Sequence, residues 1–259
     1  MNLLLLLIAL NGPANAAGKD KPEPSLQEQF DAATRAMNRA YYTKALETFN
    51  QIRVYHRDDP LSVEAELAIA DVYFKKGDWD QARLGYEDFA RMHPRYRRLD
   101  YVFYRMGECL TKKAPKPPGR DQTFTLQAQD TWKNFKDLFP ESEYVPEVEA
   151  FLLEARERLA KRELGIARFY ERRDAWPAVE SRVVGLARAY ADTSALPEAM
   201  TLLDHSLTAQ SEKHPERREQ VISDLDKTAA RLSASAVASD RAGGEALTNE
   251  LNRLKMSGR

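Results

Sequence analysis

Residues Val63 to Pro94 read VEAELAIADVYFKKGDWDQARLGYEDFARMHP, and their spacing decides the fold. Ile69, Ala70 and Tyr73 recur at helical intervals, Gly77-Asp78 interrupts the pattern, and Ala82, Tyr86 and Phe89 resume it before Pro94. The stretch therefore predicts two antiparallel helices joined by a tight turn. Small side chains at Ala70 and Ala82 let the two backbones approach, while Tyr73, Tyr86 and Phe89 fill the space around them. Gly77 stands at the end of the first helix, a place that favours positive φ, and Pro94 stops the second. One such pair cannot bury its own apolar face, so further copies are required.

The copies follow at a fixed period. The small-residue slot falls on Ala33, Ala70 and Gly107, each 37 residues from the next, and the second-helix alanine falls on Ala45 and Ala82, also 37 apart. Small, aromatic and proline slots in this order are those of a tetratricopeptide repeat, whose usual period is about 34. The first repeat carries Ala32, Ala33 and Ala36, then Ala45, Phe49 and Ile52. The third carries Met106, Gly107 and Leu110, then Ala128, Trp132 and Phe135. Here Ala128 follows Ala82 by 46 residues, so extra residues lie in the Pro/Gly-rich KKAPKPPGRDQTF, a loop expected to project from the stack. The fourth repeat opens on a long helix from about Pro146 to Arg173, with Ile166, Ala167 and Tyr170 as its packing triplet, and continues through Trp176, Val179, Val183 and Leu186. A fifth unit begins at Leu196, carries Leu203 and Leu207, and places Asp204 in the small slot, as suits a capping repeat. EKHPERREQVISDLDKTAARL is a further amphipathic helix, SASAVASDRAGG a flexible break, and Glu245 to Met256 a last helical stretch that either folds back or stays mobile. The expected fold is all-α: a tetratricopeptide-repeat solenoid of about five helix pairs over residues 25–210, followed by a C-terminal helical extension over residues 211–259.

The chain has 259 residues, 43% of them hydrophobic and 31% charged, which suffices for a sizeable core. A net charge of -1 argues against nucleic acid as a partner, since neutralising phosphates needs a marked Lys/Arg excess. The short apolar run Leu3–Leu10 and the Ala14-Asn15-Ala16 cleavage pattern predict a signal peptide over residues 1–16, followed by a flexible linker over residues 17–24. The run is too short to span a bilayer, so the mature protein is expected to be exported. Cys109, the one cysteine, reads as a small buried filler.

Catalytic patterns are absent from the sequence. His56, His93, His205 and His214 lack metal-ligand spacing, so no metal and no cofactor are expected. Glu141 and Glu143 read as charges favoured ahead of a helix N-terminus, not as an acid/base pair. No enzyme is expected. The first helix of each pair lines the inner face of such a stack, and that register turns inward Phe30 and Met37, then Leu67, Asp71 and Phe74, then Tyr101, Tyr104 and Glu108. These residues suit a groove for an extended or helical peptide with apolar anchors, with Lys75 or the loop arginines Arg91, Arg95, Arg97 and Arg98 available for a carboxylate. They suit equally well packing against a neighbouring repeat or a folded-back terminus, and the arginines a solvated loop.

The run RLAKRELGIARFYERRDAWPAVESRVVGLARAYADT, Arg158 to Thr193, resembles the BamD family, the tetratricopeptide subunit of the outer-membrane β-barrel assembly machinery. The loop GRDQT and the five-repeat layout resemble it too. The resemblance implies a periplasmic scaffold at the inner face of the outer membrane that acts by binding. It implies contact with the barrel-inserting subunit through C-terminal repeats, where Trp176 and Arg182 are the candidate partner-binding residues. It also implies contact with unfolded outer-membrane proteins near the N-terminal repeats, and membrane contact only through partners. The family is typically lipidated on a cysteine closing an L-x-G-C box. Here Leu10-Asn11-Gly12 is followed by Pro13, so no acyl anchor is expected at that place. The alternative is another cell-envelope tetratricopeptide adaptor, such as one coordinating peptidoglycan synthesis. Phe74→Ala is expected to weaken peptide binding with little change in thermal melting, whereas Ala70→Leu overpacks the helix pair and lowers stability by about 1–3 kcal/mol.

Overall fold

The computed structural model describes residues 23–257, and helices are the only regular structure among them. The expected signal peptide and residues 17–22 of the expected linker lie outside the described residues. The chain divides into two compact units, residues 1–65 and 66–259. The division falls within α3, Pro60–Lys76.

The first unit contains α1, Leu26–Asn38, and α2, Tyr42–Tyr55. Helix α1 starts on a capping box: Glu28 N donates to Ser25 Oγ at 3.2 Å, and Ser25 N donates to Glu28 Oε2 at 2.8 Å. Ala33, Ala45, Phe49 and Ile52 are buried. The turn joining them passes through Ala40 at φ 62°, with Tyr41 N donating to Ala36 O at 2.9 Å. Gly77 occupies the equivalent place after α3 at φ 83°, and Asp174 after the long fourth-repeat helix at φ 53°. Each stands seven residues beyond a small slot, Ala33, Ala70 and Ala167. The repeat thus fixes a left-handed turn even where the residue is not glycine, at a cost of about 1–2 kcal/mol for Ala40 and less for Asp174.

The second unit continues with α4, Trp79–Met92, and α5, Leu99–Lys113. Ala70 packs against Gly85 of α4, where a Cβ would stand 3.0 Å from that of Ala70, so the close approach uses Gly85 as well as Ala82. The second helix of the third repeat is broken into α6, Thr123–Trp132, and α7, Phe135–Leu138. A Cβ on Gly107 would overlap the Trp132 indole at Cε2, Nε1 and Cδ2. The ring is held by Nε1 donating to Phe103 O at 3.1 Å. Tyr104, Trp132, Phe135, Val145 and Val148 form one buried cluster around it.

The inserted third-repeat loop does not project freely. Gln122, 1% exposed, donates through Nε2 to the carbonyls of Pro117 at 2.9 Å and Arg120 at 3.3 Å, while its Oε1 accepts from Thr125 Oγ1 at 2.7 Å. One buried amide thereby satisfies several backbone groups that would otherwise need water.

Helix α8, Val145–Glu171, is the expected long helix with Pro146 in its first turn, and α9 follows at Trp176–Ala189. Helices α10, Leu196–Gln210, α11, Arg217–Ser233, and α12, Ala238–Ser257, complete the unit. The expected break at residues 233–244 is a correction: its second half is the first part of α12. Gly243 and Gly244 are close-approach residues there, since a Cβ on Gly244 would overlap the Ser233 amide and crowd Ala229 O. The extension folds back, and Leu225, Leu247 and Leu251 join Leu186, Leu196 and Leu203 in one apolar core. Glu180 of α9, 5% exposed, accepts from Arg217 of α11 at 2.5 and 3.1 Å. Gly107→Ala is expected to destabilise the protein by roughly 1–3 kcal/mol in chemical denaturation, because overpacking outweighs the gain in helix propensity of about 1 kcal/mol.

Candidate functional site

The second unit gathers aromatic rings, two guanidinium groups and one carboxylate around Asp71 of α3. Asp71 Oδ1 accepts from Tyr86 Oη of α4 at 2.6 Å and from Tyr101 Oη of α5 at 2.7 Å. Burial pushes the Asp71 carboxyl above its ordinary value, and the two hydroxyls, Arg105 and Arg98 offset part of that rise. Burial, and then the charge of Asp71, push both phenols well above the usual tyrosine range, so they remain donors.

Arg105 lies beside this pair. Its guanidinium is 4.5 Å from the Phe74 ring centre, 5.1 Å from Tyr101 and 5.8 Å from Tyr104. Its Nη1 donates to Glu108 Oε2 at 2.6 Å, while its buried Nε has no hydrogen-bond partner among the described residues. Arg98 covers Tyr101 at 4.6 Å. Phe74 meets Trp79 edge to face at 5.1 Å, and Tyr104 is stacked between Tyr144 at 4.3 Å and Trp132 at 5.8 Å. Such a surface holds aromatic side chains by ring contacts and carboxylates by a guanidinium. Burial, and then Glu108, push the nearby Cys109 thiol up to about 12, which keeps it protonated and inert.

The inward-facing residues read from the sequence separate into three groups. Asp71, Phe74 and Tyr101 are half-buried and come together with Glu108. Leu67 and Tyr104 are 4% and 6% exposed and pack in the interior. Phe30 and Met37 belong to the first unit, where Phe30 meets Phe49 edge to face at 5.2 Å and Met37 is buried. Arg105 was not singled out by the sequence, because it stands one residue off the inward register. Its spacing of four from Tyr101 and three from Glu108 is the signal that marks it.

The two partner-binding candidates differ in setting. Trp176 is half-buried against the α8–α12 core, and its carbonyl accepts from Ser206 Oγ at 2.9 Å. Arg182 is exposed on α9 and reaches Glu163 of α8 at 3.1 Å, over a depression lined by Tyr170, Ala178, Ser181 and Gly185. Six residues separate them, roughly 120° around the helix, so they do not share a face. Among the described residues, no group of three or more His, Cys, Asp or Glu is placed to hold a metal ion, and no helix is long and apolar enough to cross a membrane.

Helix pairs packed through recurrent small slots, carrying a surface of rings and guanidinium groups, define a tetratricopeptide-type helical repeat protein. The chain belongs to the YfiO family, described as outer membrane lipoprotein, which it matches over residues 22–221. It is similar to the outer membrane protein assembly factor BamD of Pasteurella multocida, 28% identical over 213 residues that cover 78% of this chain and 81% of the relative. The BamD of Haemophilus influenzae is 28% identical over 217 residues, covering 78% and 81%. That of Neisseria gonorrhoeae is 24% identical over 213 residues, covering 79% and 80%. Crystallised TPR-like repeats from Podosopora anserina align with a TM-score of 0.36 at 12% identity, over 81% of this chain and 97% of that one.

Asp71→Ala orphans two phenol hydroxyls and is expected to cost about 2–4 kcal/mol, whereas Asp71→Asn keeps an acceptor and costs about 1 kcal/mol or less. Because the folded carboxyl is raised, its contribution is fully present below the ordinary value of 3.8 and is lost as pH rises through the raised value. The stability of the unaltered protein relative to Asp71→Asn is therefore expected to fall from acid towards neutral pH, as read by urea denaturation.

Proposed function

We propose that this protein is an outer-membrane protein assembly factor working in the periplasm at the inner face of the outer membrane. It acts as a scaffold, without catalysis, by binding the barrel-inserting subunit and unfolded outer-membrane proteins. The observation that carries the reading is membership of the outer membrane lipoprotein family over residues 22–221, together with relatives named as assembly factors.

The chemistry of the Asp71 surface supports the client half of the reading. An unfolded barrel strand offers alternate aromatic side chains and a terminal carboxylate. Phe74 and Tyr101 offer ring contacts to the former, and the Arg105 guanidinium offers a cation to the latter. A client carboxylate competes with Glu108 for that guanidinium, so capture is reversible, as a transfer step requires. Arg182 supports the partner half, since an exposed arginine tied to its own chain by one surface ion pair re-pairs with another carboxylate at little cost.

A crosslinked pull-down of the mature chain from its own envelope, read by mass spectrometry, tests the proposal. An outer-membrane barrel carrying periplasmic repeat domains is the expected partner. Arg182→Glu is expected to lower its recovery about tenfold, with the melting curve shifted by less than about 1 kcal/mol of stability. Recovery of cell-wall synthesis enzymes alone overturns the proposal in favour of a different envelope adaptor.

A further inference from the structure

A second recess, separate from the Asp71 surface, opens where the third-repeat loop meets the C-terminal half of α8. It has a volume of about 670 Å³ and is bounded by the loop at Gly119–Asp121, by α8 from Lys161 to Tyr170, and by Arg172 just beyond the helix end. Three features of it ask for an occupant.

The first is charge. Arg120, Lys161, Arg162 and Arg172 border the recess against the single carboxylate of Asp121, in a chain whose net charge is -1. Asp121 Oδ1 is engaged at the start of α6, accepting from Thr123 Oγ1 at 2.8 Å and from Thr123 N at 3.1 Å. Arg162 is paired with Glu163 at 2.9 Å, and Lys161 reaches Glu157 only at 3.8 Å. The side chains of Arg120 and Arg172 have no ion-pair partner among the described residues. Concentrated like charge raises the local potential and favours an anionic visitor.

The second is an apolar floor made of Ile166, Tyr170 and Phe169, the last of them 43% exposed. The third is Gly165. It stands inside α8, where glycine costs about 1 kcal/mol relative to alanine. A Cβ there would meet nothing within 4 Å among the described residues, so no contact with them calls for its absence. A glycine on the wall of a recess lets a bound chain approach the helix backbone. The loop wall is also preformed, being held by the buried Gln122 amide and by Arg158, which is 9% exposed and reaches Pro115 O and Thr125 Oγ1, each at 3.4 Å.

We infer that this recess is a docking site for an acidic segment of a partner protein. One aromatic or aliphatic side chain of the segment lies against Ile166, Phe169 and Tyr170, and its carboxylates meet Arg120 and Arg172. Three floor residues accommodate one side chain and not a pair of acyl chains, which favours a peptide over a lipid surface.

The test is fluorescence anisotropy of the full chain with a fluorescein-labelled peptide of sequence Glu-Glu-Leu-Phe-Glu-Glu. Binding is expected to weaken as salt rises from about 50 to 300 mM. The pair Arg120→Glu and Arg172→Glu is expected to weaken it about tenfold or more, and so is Gly165→Leu, with melting of the Gly165→Leu variant no lower than that of the parent. The loss caused by Arg120→Glu with Arg172→Glu is expected to be of the same size in a Phe74→Ala background, which separates this site from the Asp71 surface. Unchanged binding in both the charge-reversed and Gly165→Leu variants overturns the inference. So does equal affinity for the peptide with Lys in place of Glu, or retention on phosphatidylglycerol vesicles with no binding of the acidic peptide.

Discussion

An indole ring lies where a side chain would otherwise be. Trp132 occupies the space that Gly107 leaves empty, and this contact sets how closely α5 and the second half of its repeat approach. From the seated indole the packing runs outward through Tyr104 to Tyr144, and across to Phe151 at 5.1 Å, so the start of α8 is positioned by the same ring. Helix α8 in turn supplies Arg158 to the inserted loop and Glu163 to Arg182. Close packing transmits this dependence, because an interior at crystal density has no slack to absorb a shifted ring.

The polar side of the same region follows one rule. Asp71 sits in a place that disfavours its charge, and it is tolerated because two phenols donate to it and two guanidinium groups lie near. The arrangement ties α3, α4 and α5 together through one oxygen. It also leaves Phe74, Tyr101 and Arg105 facing one another at an accessible surface, so a stabilising network and a recognition surface share their parts.

The helix pairs were legible in the sequence because packing slots recur, and Ala33, Ala70 and Gly107 act in the structure as their spacing implies. Asp71, Phe74 and Tyr101 were legible as a group for the same reason. What escaped depends on partners distant in sequence. Gly85 looks like any helical glycine until Ala70 stands against it. Gln122 lies in a Pro/Gly-rich stretch whose composition suggests a loop projecting from the stack, and its buried amide, bonded within the loop, is what local composition does not announce. The Gly243-Gly244 pair has the composition of a break, yet glycine serves close approach as readily as flexibility, and nothing local separates the two uses. Ala40 gives no local sign of a left-handed backbone, although its place seven residues after Ala33 matches that of Gly77 after Ala70.

A stack of helix pairs has no natural end, since the face that receives one repeat is able to receive another. In this chain α12 lies outside the segment that matches the family, and it doubles back so that Leu247 and Leu251 cover the apolar side of α10 and α11. Lys255 and Arg218 fasten it, the first to Asp226 at 2.9 Å and the second to the Leu254 carbonyl at 2.7 Å. Helix α12 thereby takes the place that a further repeat would fill, and the apolar side of the last helix pair is kept from water by a helix running back over it.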